Sequence, residues 1–170
     1  MGKLQNVEKT FNEIACALAS NEKICRLLYI DSPDALTTSN FIMPALEKMF
    51  DEKYINTCPQ RQSGIQDLGR NSLLILRINM VNFEDDATGV HVYADCSIIT
   101  NYNASVLTGN KDRALKIADA IEEELTKHKF SSATKVQVDR IENAVYSEYE
   151  FGYVVSFDFQ DQISKKKVEI

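Results

Sequence analysis

The sequence has no run near the roughly 20 consecutive apolar residues that a membrane-crossing helix needs. It opens without the charged n-region and apolar h-region of a secretory signal, so a soluble chain made in the cytoplasm is expected. No CxxC pair occurs: Cys16, Cys25, Cys58 and Cys96 are scattered with no local histidine, which predicts free buried thiols in a reducing compartment. His91 and His128 are the only imidazoles, leaving little from which to build a zinc site. There is no GxSxG, GxGxxG or P-loop, so nothing local activates a nucleophile or cradles a phosphate. A basic excess is also lacking. With 19 basic against 25 acidic residues the net charge is -6, and no cationic field exists to hold nucleic acid without regard to sequence.

What is present fits one core: 170 residues, 44% of them hydrophobic, with no internal repeat. The chain divides into a helical N-terminal segment (1–30), an irregular segment (31–71), an α+β core (72–160) and a tail (161–170). In the first segment Leu4, Val7, Phe11, Ile14 and Leu18 draw a narrow helical stripe that predicts packing on its own domain. A second short helix, capped by Ser20, buries Ile24, Leu27 and Leu28. In the irregular segment a helical turn is expected after Pro44 and a short strand at 54–57. Residues 58–71 carry proline, glycines and polar amides without a period and read as a long exposed loop.

Residues 72–99, SLLILRINMVNFEDDATGVHVYADCSII, contain two alternating runs around an acidic tip. Leu74, Leu76, Ile78 and Met80 match Val90, Val92, Ala94, Cys96 and Ile98 as buried even-numbered positions, and Arg77, Asn79, His91, Tyr93 and Asp95 share the other face. An antiparallel register that sets Arg77 against Asp95 opposes unlike charges and places Asn79 across from Tyr93. A slip of two residues would instead put Ile75 against Asp95. A polar linker follows, and then a helix from about Lys111, with Ala114, Ile117, Ala118, Ile121 and Leu125 on its buried face and Thr108 or Asn110 as its cap. Two strands close the domain, TKVQVDRI and GYVVSFDF, the second placing Tyr153, Val155, Phe157 and Phe159 on one side. The expected fold is α+β: a largely antiparallel four-stranded sheet covered on one face by a long helix, with an N-terminal helical extension.

For chemistry the pattern offers little. Glu84, Asp85 and Asp86 could converge on a divalent cation, but a dedicated calcium loop wants alternating ligands, a glycine and a distal glutamate. No catalytic residue, metal ligand or cofactor site is assigned, and no enzyme activity is expected. His91 reads as a surface residue beside Tyr93.

The order of pieces, a long hairpin (SLLILRINMVNF, GVHVYADCSII), a linker, the helix RALKIADAIEEEL and a closing GYVVSFDFQD, resembles bacteriophage tail-terminator and neck proteins. The upstream NEKICRLLYIDSPDAL also looks like a leader of phage neck proteins. The resemblance implies a structural virion subunit that forms a closed homomeric ring, of six copies or a multiple, at the head-to-tail joint. Such a ring docks on portal or connector proteins and on the tail, and it leaves a channel for DNA. Six copies at -6 each carry -36, which suits a channel that lets phosphate slide. Candidate interface residues are Arg77, Asn79, Tyr93 and Asp95 on the wet sheet face, with Gln60, Arg61, Gln62 and Arg70 on the loop. Glu84, Asp85 and Asp86 at the hairpin tip are the candidates for facing the channel. The alternative is a small cytoplasmic α+β binding or adaptor protein.

Overall fold

Apolar residues three and four apart start the fold as two helices, α1 (Gln5–Ser20) and α2 (Glu22–Tyr29). The computed structural model describes residues 4–57, 70–84, 89–131 and 133–162. Val7, Phe11, Ile14 and Leu18 of the expected stripe are buried, while Leu4 is half exposed. The cap of α2 is Asn21 rather than Ser20. Helix α1 runs through Ser20, so Asn21 is the first residue with extended backbone (φ -80°, ψ 115°), and its side chain accepts a hydrogen bond from the Ile24 amide at 3.1 Å. A one-and-a-half-turn helix, α3 (Leu46–Asp51), follows Pro44, and β1 (Ile55–Asn56) follows it.

The remaining strands are β2 (Ser72–Phe83), β3 (Gly89–Asn101), a short ribbon of β4 (Val106–Leu107) and β5 (Lys111–Asp112), then β6 (Ala133–Val145) and β7 (Glu150–Gln162). The main sheet has five strands in the order β1-β2-β3-β7-β6, so the expectation of four is corrected by β1. That strand lies within the short strand expected at 54–57, is two residues long, and pairs parallel to β2 with Ile55 beside Leu74. Every other pairing in the sheet is antiparallel.

Arg77 pairs with Asp95, as the charge argument requires. One step later the expected register fails. A bulge between Ile78 and Met80 sets Met80, not Asn79, opposite Tyr93 and brings Val81 against Val92. Because side chains alternate with period two, the extra residue moves Met80 to the open face, where it is half exposed, and Val81 to the face that packs on the core. On β3 the even positions Val90, Val92, Ala94, Cys96 and Ile98 are all buried. Val155, Phe157 and Phe159 of β7 pair with Cys96, Ala94 and Val92 and extend the same apolar face.

Helix α4 (Arg113–Lys127) covers that face and touches β3, β6 and β7. Ile117, Ile121 and Leu125 are buried beneath it. Its cap is Asp112, whose carboxylate accepts from the Leu115 amide at 3.1 Å. Thr108 and Asn110 do not serve because they sit in the turn of the β4–β5 ribbon, where Gly109 (φ 82°) and Asn110 (φ 57°) are both left-handed. Buried side chains of all four helices join one cluster with the even-numbered sheet residues, and Leu73 and Ile99 form a small second cluster with Ile75 on the opposite face. Of the cysteines, Cys16, Cys25 and Cys96 are free; Cys25 and Cys96 are buried and Cys16 only partly so. Burial pushes the Cys25 thiol up to about 11, with Glu22 adding to the effect. Cys58 lies outside the described residues.

One cation is enclosed in this core. Arg113, the first residue of α4, is fully buried and donates to the backbone carbonyls of Ala104, Leu27, Ile30, Asp31 and Ser32 at 2.5–2.8 Å. Leu27 and Ile30 lie at the C-terminal end of α2, so the guanidinium satisfies carbonyls that the helix leaves without partners and sits at the negative end of its dipole. Desolvation lowers its pKa, and Asp31 opposes that shift.

Candidate interaction face

The second face of the sheet collects the odd-numbered residues of β3 and their cross-strand partners. On β2 and β3, Asp95 is buried to 7% exposure and takes two donors. Arg77 Nη2 reaches its carboxylate oxygens at 3.3 and 3.4 Å, and Asn79 Nδ2 donates to Oδ2 at 2.7 Å. The bulge explains the second contact. Released from pairing with Tyr93, Asn79 turns its amide onto the aspartate. The Arg77 side chain is 54% exposed, so the ion pair contributes only ~0.2 to 1 kcal/mol and fixes register more than stability.

Toward the hairpin tip, His91 stacks on Tyr93 with ring centroids 4.5 Å apart and 22° between planes. Its Nε2 makes a short hydrogen bond to Asp158 Oδ2, and Asp158 Oδ1 is buried with no hydrogen-bond partner among the described residues. Tyr93 pairs with Asp158 across β3 and β7, which is why the three side chains meet. At the other end, Tyr146 arches from the β6–β7 turn and hydrogen-bonds Ser97, near Asp95 and Arg77. Burial raises the Tyr146 pKa.

The sequence-predicted residues are distributed unevenly. Arg77, Asn79, Tyr93 and Asp95 share this face and touch or adjoin one another. Arg70 lies apart: its guanidinium binds the Glu52 carbonyl at 3.3 Å and the Glu52 carboxylate at 3.2 Å, and it rests on the Tyr54 ring 4.5 Å from the centroid. Gln60, Arg61 and Gln62 lie outside the described residues. At the tip, the Glu84 amide donates to the Gly89 carbonyl at 3.1 Å, and its carboxylate accepts from Gln160 Nε2. Asp85 and Asp86 lie outside the described residues.

No family model matches the sequence, and no curated protein matches it. The chemistry of the face is therefore read from the residues alone. Among the described residues no three His, Cys, Asp or Glu side chains are grouped so as to hold a metal ion, and no helix is long and apolar enough to cross a membrane. The face presents one aspartate, Asp95, matched by two donors, an arginine with half its side chain in solvent, and stacked aromatic rings. These groups suit recognition of another protein surface by hydrogen bonds and aromatic contact.

Three members of the face escaped the sequence reading: Asp158, Ser97 and Tyr146. Asp158 and Ser156 were legible as the polar alternates of GYVVSFDF, and only the β3–β7 register was needed to bring Asp158 to Tyr93 and His91. Tyr146 sits in a turn, and nothing in its neighbours' spacing points it at Ser97.

Proposed function

We propose that this chain is a structural subunit that assembles with copies of itself into a ring at a phage neck, joining the head connector to the tail around a channel for DNA. The observation that carries the reading is the second sheet face. The buried apolar residues of α1, α2, α3 and α4 join the opposite cluster, which leaves Arg77, Asn79, Tyr93, Asp95, His91 and Asp158 as a pre-ordered polar surface on rigid strands. A ring subunit needs such a surface, because each contact must be specific while the separated monomer stays in water. The likeness of the element order to phage neck proteins supplies the location, the virion neck, with portal or connector and tail proteins as neighbours. A net charge of -6 per chain favours a lumen that repels phosphate over one that grips it.

The test is native mass spectrometry of the full chain, alone and mixed with the connector and tail components of its particle, together with particle imaging. With those components present, the expected result is a discrete species of six copies or a multiple, and density for the chain at the neck. Only monomers or dimers in every mixture, with no such density, would overturn the ring and leave the small adaptor protein as the better reading.

A further inference from the structure

Strand β6 is the outermost strand of the sheet, and its far side pairs with no described strand. It is 13 residues long and exposes a row of backbone N–H and C=O groups, which natural sheets protect with bulges, charge or cover. Its first half has that protection: the ladder to β7 shifts between Ala133 and Val136 and again between Val138 and Arg140. Its second half does not. From Arg140 to Val145 the pairing with β7 runs without a shift. Ile141 and Val145, paired with Val155 and Phe151, are left 37% and 69% exposed. On the opposite side Arg140 and Glu142 stand two residues apart, Nε to Oε2 at 3.4 Å, both largely in solvent.

We propose that the edge of β6 pairs antiparallel with β6 of a second copy about a two-fold axis through Ile141, so that residues 140–142 face their own counterparts, residues 143–145 run against 137–139, and two sheets join edge to edge. Charge selects both the occupant and the register. With Ile141 opposite Ile141 of the second copy, each Arg140 faces the other chain's Glu142, which gives two unlike pairs. Moving the axis to Arg140 sets arginine against arginine, and moving it to Glu142 sets glutamate against glutamate. A half-step in either direction puts Ile141 against a charged residue of the other face. Of the axes through the charged stretch 140–142, only the one through Ile141 opposes unlike charges. Redirecting the Arg140–Glu142 pair from within the strand to across it sacrifices little, because an exposed ion pair is weak. The contact is isologous and closes at two copies, so it does not rest on the ring reading; a ring would use a different surface.

Sedimentation velocity and native mass spectrometry of the full chain, over a concentration series, test this. The wild-type chain is expected to form a species of twice its 19.2 kDa mass. Arg140→Glu sets like charges opposite each other at both cross-pairs and should raise the dimer dissociation constant about tenfold or more. The double variant R140E/E142R restores two unlike pairs and should recover the dimer, and an unchanged thermal melt would show that both variants fold. A wild-type chain that is monomeric at the highest concentration reached, an R140E dimer as tight as wild type, or a double variant no tighter than the single one would each overturn the proposal.

Discussion

On β3, Val92, Ala94, Cys96 and Ile98 lie in one cluster with α1 and α4, whereas His91, Tyr93, Asp95 and Ser97, each one residue away, meet cross-strand partners and Tyr146. The two sets share a backbone and differ in how they hold. The helix-covered set acts by burial, which is large and non-directional: Ile117, Ile121 and Leu125 together contribute roughly 5 to 9 kcal/mol before entropy, comparable with the net stability of a whole domain. The open set acts by direction. Its Arg77–Asp95 pair is worth less than a single buried methylene or about as much, yet it decides which residue faces which. Stability and specificity are therefore assigned to opposite sides of one sheet, and that leaves the open side available for recognition without loss of the fold.

The most severe way to break this division is to put a charge on the covered side. Ile121 is fully buried under α4, and Ile121→Asp removes its burial and adds a carboxylate with no partner. The expected loss exceeds about 5 kcal/mol, enough to exhaust the net stability. The variant should accumulate in the insoluble fraction or show no cooperative denaturant transition. A soluble variant with a cooperative melt would mean that α4 does not seal the sheet.

Arg113 tests whether a buried charge can be structural. Replacing it by methionine keeps much of its volume but leaves five carbonyls without their donor, among them those closing α2. A loss of about 3 kcal/mol or more is expected from urea denaturation, since each stranded buried acceptor costs ~1 to 3 kcal/mol less whatever water recovers. Arg113→Lys should recover only part of it, because an ammonium cannot fan out to carbonyls in several directions as the planar guanidinium does. Equal stability of Arg113→Met and wild type would show that these carbonyls find water instead.

Against this background the legible and illegible parts of the chain separate cleanly. Alternation and charge were enough to pair Arg77 with Asp95 and to bury the even positions of β3, because both depend on neighbours two residues apart and on one opposing strand. The stripe of α4 was legible for the same reason. The Asn79 bulge was not, since it depends on a choice between Met80 and Val81 for a place in the core that only the assembled helices define. Caps were missed where a neighbouring element claimed the expected residue first, α1 taking Ser20 and the β4–β5 turn taking Thr108 and Asn110. Arg113 was not singled out; the one available hint was a cation in a first turn, where the helix dipole disfavours it. On the open face, Tyr146 and Asp158 required long-range pairing that no local window contains.

The mildest test concerns a polar group on the covered side. Asp161 is buried beneath α1, accepts a hydrogen bond from Thr10 Oγ1 at 3.0 Å through Oδ1, and keeps Oδ2 buried without a hydrogen-bond partner among the described residues. Desolvation raises its pKa; the Thr10 bond works against this, and the charge of Glu13 adds to it. With the folded pKa above the unfolded one, the native state holds more protons between the two values, so stability falls as pH rises through that window and levels off above it. Each unit of elevation corresponds to about 1.4 kcal/mol. Asp161→Asn retains an acceptor for Thr10 and cannot ionise. The variant should therefore match wild type near pH 3.5 and exceed it by an amount that grows through the window and is constant at neutral pH, measured by urea denaturation at a series of pH values. Because the two chains share every other titrating group, their difference isolates residue 161, and curves that stay parallel across the series would show that its carboxyl reaches water in the native state.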